Sequence, residues 1–312
     1  MSGSADARRT PSRRSVLVSA ARATAALPLL AGAAACSGQD DGGGSDRPTD
    51  GGSPSSSSTP TSTALPEAGE LVWSDDFDGA AGTALDRRDW AYDLGGGGWG
   101  NGELQTYTDD VANAALDGQG NLAITARLVS GTAGGSDQRW TSARVTTFGL
   151  HTLSAGRVEV RAKVASGRGI WPAAWTLGQD IQTVGWPACG EVDVIEAVND
   201  AGQCLQTVHG PDATGQRWYE TVSTPQPTPL SEAFHTFAAD VDDERVLFAL
   251  DGVVTGSVER STLTDGRRWP FGGPQYLLLN VAVGGQLPGP TDASTPTAAT
   301  MLVDWVRLSR PA

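Results

Sequence analysis

Gly156-Arg-Val-Glu-Val-Arg-Ala-Lys-Val164 decides the fold class. Val158, Val160, Ala162 and Val164 alternate with Arg157, Glu159, Arg161 and Lys163. Successive side chains of a strand point to opposite faces, so a period of two means a half-buried strand with one wet face. Strand-like runs recur at Leu71–Phe77, Leu122–Ala126, Val246–Leu250, Tyr276–Val283 and Met301–Leu308. Asp251-Gly252 separates two apolar runs and suits a tight hairpin, because both residues tolerate positive φ. After residue 67 no long window has a helical period. Many short strands with Gly- and Pro-rich turns imply an all-β sandwich or barrel.

Outward from this domain, expected at 67–312, the N-terminal side reads differently. Residues 1–36 have the form of an export signal: Arg8, Arg9, Arg13 and Arg14 precede an apolar stretch from Val16 to Ala35, interrupted by Arg22. Arg13-Arg14 resembles a twin-arginine signal. Ala33-Ala34-Ala35-Cys36 resembles a bacterial lipobox, in which Cys36 is lipidated and becomes the new N-terminus. Simple cleavage nearby and release is the alternative. Residues 37–66 are Ser, Gly, Pro, Thr and Asp with almost nothing apolar, the composition of a disordered tether. The protein is therefore expected to be exported, either extracellular or anchored to the outer face of a bacterial membrane through Cys36.

The formal charge is −14; five arginines against one aspartate in residues 1–35 leave the remainder at −18. That balance opposes nucleic acid and anionic membrane surfaces as partners and suits a neutral ligand. Cys189 and Cys204 form an even pair once Cys36 is set aside, and outside the cytoplasm a disulfide between them is expected, with two buried thiols as the alternative. Three scattered histidines (His151, His209, His235) offer no zinc spacing. Gly95-x-Gly97-x-x-Gly100 lacks the strand and helix that a dinucleotide site needs.

The chemistry sits in Trp186-Pro-Ala-Cys-Gly-Glu191-Val-Asp193-Val-Ile-Glu196-Ala-Val198. On a regular strand Glu191 and Asp193 share a face and Glu196 points away. The adjacent apolar pair Val194–Ile195 breaks the alternation, so a β-bulge there is expected to return Glu196 to the acidic face. With one residue absorbed, the Cα atoms of Glu191 and Glu196 lie about 13 Å apart at roughly 3.3 Å per residue, close enough for the side chains to lean together. No Lys or Arg interleaves to neutralise the three carboxylates. Paired carboxyls of this kind suit glycoside cleavage, one attacking the anomeric carbon and the other giving and taking the proton.

Gly190-Glu-Val-Asp-Val-Ile-Glu196 resembles the signature of glycoside hydrolase family 16, and its six-residue Glu-x-Asp-x-x-Glu spacing resembles the bulged, laminarinase-like branch. Leu71–Gly79, Gly98–Thr108, Thr141–Arg144, Gly169–Trp175, Val208–Pro211, Phe234–Phe237, Leu278–Gly285 and Val303–Val306 resemble further family segments in order. The resemblance implies a concanavalin A-like jelly roll whose curved sheet forms an open substrate cleft. It implies Glu191 as nucleophile, Glu196 as acid/base and Asp193 as the group that orients and tunes Glu191. It implies endo-hydrolysis of β-1,3-glucan with retention, no cofactor for catalysis, and one structural calcium held by Asp304 with backbone oxygens near Asp76 and Gly120. A monomer acting on a polysaccharide is expected.

Sugar rings offer apolar faces to aromatic rings and hydroxyls to directional hydrogen bonds. Ten of the 20 aromatic residues are Trp. Trp99, Trp171 and Trp186 are expected to line the cleft; Trp175 suits cleft or core equally. Asn101, Glu103, Arg144 and His209 are the expected polar contacts, and His235 a structural one. Mixed-linkage glucan, transglycosylation, galactan hydrolysis and non-catalytic glucan binding are the competing readings. A single lysine, Lys163, and the charge of −18 argue against a sulfated galactan.

Overall fold

The alternation of Gly156–Lys163 becomes an inner strand of a ten-stranded sheet in the computed structural model, which describes residues 63–312. The export signal, Cys36 and residues 37–62 of the expected tether lie outside the described residues. In chain order the strands are β1 (Leu71–Asp75), β2 (Ala91–Tyr92), β3 (Gln105–Tyr107), β4 (Ala114–Leu116), β5 (Leu122–Ser130), β6 (Arg139–Ser142), β7 (Arg144–Thr146), β8 (Gly156–Lys163) and β9 (Ile170–Gly178). They continue as β10 (Glu191–Glu196), β11 (Gln203–Pro211), β12 (Arg217–Pro225), β13 (His235–Val241), β14 (Arg245–Leu250), β15 (Val253–Glu259), β16 (Gln275–Val283) and β17 (Ala298–Ser309). One helical turn, Ile181–Val184, and one 3-10 turn, Arg260–Thr262, complete the described elements.

The larger sheet runs β15-β14-β13-β8-β17-β5-β6-β3, with β1 added to β17 and β4 to β5; the smaller runs β12-β11-β10-β9-β16-β7-β2. Neither closes on itself, so the architecture is the expected sandwich. Val158, Val160 and Ala162 of β8 share one buried cluster with Val192, Val194 and Ile195 of β10 and with Leu277, Leu279 and Val281 of β16. The apolar face of one sheet thus covers that of the other, which leaves the opposite face of the seven-stranded sheet free for a site. The Asp251-Gly252 hairpin joins β14 to β15 with φ of 50° and 75° at its two residues.

Three expectations need correction. Arg157 is not on a wet face: it is 5% exposed, and its guanidinium donates to both carboxylate oxygens of Asp240 at 2.6 and 2.8 Å and to the Pro66 carbonyl at 2.6 Å. The tether accordingly ends earlier than residue 66. Ala64 bridges to Val253, Leu65 N–H donates to Gly252 O, and Val254 N–H donates to Thr63 O. Cys189 and Cys204 are both free and buried. Cys189 precedes the Glu191 end of β10, whereas Cys204 lies on β11 beside Leu205, which faces Glu196 at the other end. Some seven residues of strand, roughly 23 Å, separate those positions, against about 4.4–6.8 Å between the Cα atoms of a disulfide.

The structural calcium was expected on the Asp304 side chain, with backbone oxygens near Asp76 and Gly120. Asp304 accepts a hydrogen bond from Arg161, and the Asp76 carboxylate lies 3.7 Å from the Arg307 guanidinium. The Arg161 guanidinium competes with a cation for the Asp304 carboxylate.

The expected bulge is present. Asp193 pairs with Trp175 and Ile195 with Ala174, so Val194 has no partner on β9; the register with β11 shifts over the same residues. Gln206 of β11 lies fully buried beneath it. Its Nε2 donates to Val194 O at 2.9 Å and reaches Ala238 O and Ala249 O of the facing sheet at 3.4 and 3.3 Å; its Oε1 accepts from Thr255 at 2.6 Å. Replacing Gln206 by Leu keeps the volume and strands these groups without partners. Chemical denaturation of Gln206→Leu should show a loss of about 1–3 kcal/mol.

Candidate active site

Register fixes which side chains share the free face of the smaller sheet. Across it, Tyr219 (β12), His209 (β11), Glu191 (β10), Leu177 (β9) and Tyr276 (β16) stand in one row. Thr207, Asp193, Trp175 and Leu278 form the next, and Leu205, Glu196, Ala173 and Asn280 the third. Without the bulge, Ile195 would occupy the place of Glu196. The three acids therefore stand together, as expected.

Each outer acid is held by an indole. Trp186 Nε1 donates to Glu191 Oε2 at 2.6 Å, and Trp171 Nε1 donates to Glu196 Oε1 at 2.9 Å. Asp193 stands between the two glutamates on the same face of β10. His209 Nε2 lies 3.1 Å from Asp193 Oδ2 and 3.9 Å from Glu191 Oε1. The closer approach is off-line for a hydrogen bond, so Asp193 Oδ2 remains without a partner; His209 Nδ1, the other ring nitrogen, has none either.

Burial governs the charges. It pushes the Glu191 carboxyl up to about 7, with Asp193 adding to the rise and His209, Trp186 and Arg144 opposing it. Burial likewise raises Asp193. Glu196 rises well above the ordinary carboxylate range, because burial, Asp193 and Glu191 all act on it and the Trp171 hydrogen bond offsets only part. Burial lowers His209, which keeps its imidazole neutral near pH 7. The ordering leaves Glu196 as the group that retains a proton and Glu191 as the one nearer ionisation.

The other expected contacts lie on the β9, β16 and β7 side of the acids. Arg144 of β7 sits over the rings of Trp99 and Trp175 at 4.9 and 4.6 Å, and its Nε lies 2.9 Å from Asp93 Oδ2. Trp175 faces the acids rather than the inter-sheet core, and its Nε1 donates to Asn280 Oδ1 at 2.7 Å. Asn101 donates to Glu103 Oε1 at 3.0 Å; Gln105 and Tyr107 donate to Glu103 Oε2 at 2.6 and 3.4 Å. The Trp99 ring is tilted against that of Tyr107, 5.2 Å between ring centres. His235 is on β13 in the other sheet, bonded to Asp251 at 2.8 Å, the structural role expected of it.

Sequence reasoning missed Tyr107, Asn280 and Asp93. Asn280 donates to the Tyr107 hydroxyl at 3.1 Å and so ties the Glu103 group to Trp175. It had a signal, being a polar residue inside the otherwise apolar run Tyr276–Val283. Tyr107 stands inside the Gly98–Thr108 stretch, and Asp93 carried no signal. Glu191, Asp193 and His209 also offer one donor atom each within 4.8 Å, a spacing a metal could use. With the neighbouring acid protonated and indoles holding both glutamates, the cluster suits proton transfer better.

Two carboxyls on one strand, one poised to ionise and one to stay protonated, beneath a wall of tryptophans define a glycoside hydrolase. The chain belongs to Glycosyl hydrolases family 16, which residues 103–307 match. It is 38% identical over 256 residues to a beta-glucanase of Rhodothermus marinus, covering 77% of this chain and 85% of that protein. It is 35% identical to a glucan endo-1,3-beta-glucosidase of Cryptopygus antarcticus, covering 76% and 90%. Among solved structures, the laminarinase catalytic domain of Thermotoga maritima MSB8 superposes with a TM-score of 0.70 at 36% identity, over 79% of this chain and all of that one. The sandwich is accordingly the jelly roll expected.

Raised carboxyls carry a stability consequence. Folded Glu191 keeps its proton up to about pH 7, whereas the unfolded side chain releases it near 4.5. The folded state thus binds more protons between these values, and stability falls as pH rises through them. Glu191→Gln should be more stable than the parent above pH 7, by on the order of 1–3 kcal/mol. Melting curves should show that gap closing below pH 4.5.

Proposed function

We propose that the protein is an exported, retaining endo-β-1,3-glucanase in which Glu191 is the nucleophile, Glu196 the acid/base and Asp193 the group that orients Glu191. The observation that carries this reading is the bulged strand that gathers three carboxyls, Asp193 buried and both glutamates half-buried, on one face. Ionised Glu191 attacks the anomeric carbon while Glu196 gives its proton to the departing glycosidic oxygen, and a glycosyl ester forms on Glu191. Glu196, now a carboxylate, takes a proton from water, whose oxygen attacks the anomeric carbon and releases Glu191. The hydrogen bond from Trp186 favours the ionised form of Glu191, and that from Trp171 aims Glu196. Asp193 holds the proton that Glu191 must shed before it attacks.

The β-1,3 linkage rests on the similarity to proteins named for it, and mixed-linkage glucan comes second. Trp99, Trp171, Trp175 and Trp186 offer ring faces to sugars, with Asn101, Glu103, Arg144 and His209 as polar contacts. Purified protein should cut laminarin to short oligomers, lichenan more slowly and agarose not at all, measured by reducing ends and product sizes. Glu196→Gln should lower kcat about 10²–10⁴-fold. Binding of laminarin without cleavage would favour a recognition protein instead, and cleavage of agarose alone would remove the substrate assignment.

Export through the N-terminal signal and lipidation at Cys36 complete the proposal. Cys36→Ser should shift the protein from the detergent-extracted membrane fraction to the medium; an unchanged distribution would favour ordinary cleavage.

A further inference from the structure

The expected sugar contacts at Trp99, Asn101, Glu103 and Arg144 all lie on the β16–β7 side of the acids. The opposite side, toward the edge strand β12, has its own aromatic surface. Tyr219 of β12 stands in the same row as His209 and Glu191 and is 54% exposed. The alternation of β12 places Arg217 and Tyr219 on the face of the acids, while Trp218 is buried on the other face, its indole donating to Pro211 O. Arg217 lies 4.9 Å from the Tyr219 ring and 5.9 Å from that of Trp186, itself 48% exposed. The His209 ring stands between them, 6.3 Å from Trp186 and 5.8 Å from Tyr219.

Four planar groups thus make a continuous shelf from Glu191 to the sheet edge. Two strand spacings set Tyr219 roughly 10 Å from Glu191, beyond the rings that flank the scissile bond. A polymer lying across the acids from the Trp99 side has to leave over this shelf. An exposed tyrosine ring braced by a guanidinium offers a flat apolar face, and the exposed guanidinium offers hydrogen bonds to hydroxyls. Both match a neutral sugar ring.

We infer that Tyr219, with Arg217, forms an outlying sugar-binding subsite on β12 that grips the glucan chain beyond Trp186. This rests on the glucanase reading and extends its site. The test compares kcat/KM on laminarin with kcat/KM on a nitrophenyl β-laminaribioside, which is too short to span from the acids to β12. In Tyr219→Ala the laminarin-to-bioside ratio should fall about five- to tenfold, the size of one aromatic contact. Tyr219→Phe should restore it, since the ring makes the contact. Glu220→Gln, on the opposite face of the same strand and paired with Arg267, should keep the parent ratio. An unchanged ratio in Tyr219→Ala overturns the subsite and leaves the glucanase reading intact. No turnover of either substrate by the parent protein overturns both.

Discussion

The site depends on one irregularity, the residue that β10 carries without a partner on β9. Six residues from Glu191 to Glu196 cannot place both acids on one face of a regular strand. Absorbing Val194 solves this, and it leaves a carbonyl off the regular ladder beneath the acids. Gln206 answers it from the next strand and ties the same point to the facing sheet through Ala238, Ala249 and Thr255. The catalytic spacing is therefore held from the core side, by a polar side chain at the centre of an otherwise apolar layer. Such a network stabilises only when fully satisfied, and here every polar atom of Gln206 has a partner.

Gathering three acids on one poorly hydrated face sets a second constraint. Their mutual repulsion and the loss of water are not relieved by cations on β10 itself, since no basic residue interleaves with them there. The alternative is to keep protons, and burial does this for Glu196 above all. Reactivity and fold stability then pull in opposite directions, because the charge on Glu191 that chemistry needs is the one burial opposes. The Trp186 indole and the nearby Arg144 moderate that conflict without abolishing the proton on Glu196.

Strand periodicity made much of the fold legible. The alternation of β8, the Asp251-Gly252 hairpin and the broken alternation at Val194–Ile195 each had a local cause that a reader of residues can see. The acids and the indoles beside them were legible because their chemistry is confined to short segments. Other features depend on partners far along the chain. Arg157 looked like a solvent-facing residue, and only Asp240 and Pro66 explain its burial. Cys189 and Cys204 looked like a pair because parity and compartment favour one; the length of β10 between them was not visible. Tyr219 looked like any exposed aromatic until register put it in line with His209 and Glu191.

The chain's entry into the domain has a mechanical meaning. Thr63 to Pro66 are fastened to the β14–β15 hairpin and to Arg157, all in the ten-stranded sheet. A pull on residue 63 is thus borne first by a few backbone hydrogen bonds and one guanidinium at that sheet, which act as a strain relief. The acids ride on the other sheet, outside this load path. Tension that frays the attachment would peel the chain back from the hairpin while the spacing of Glu191 and Glu196 stays as it was.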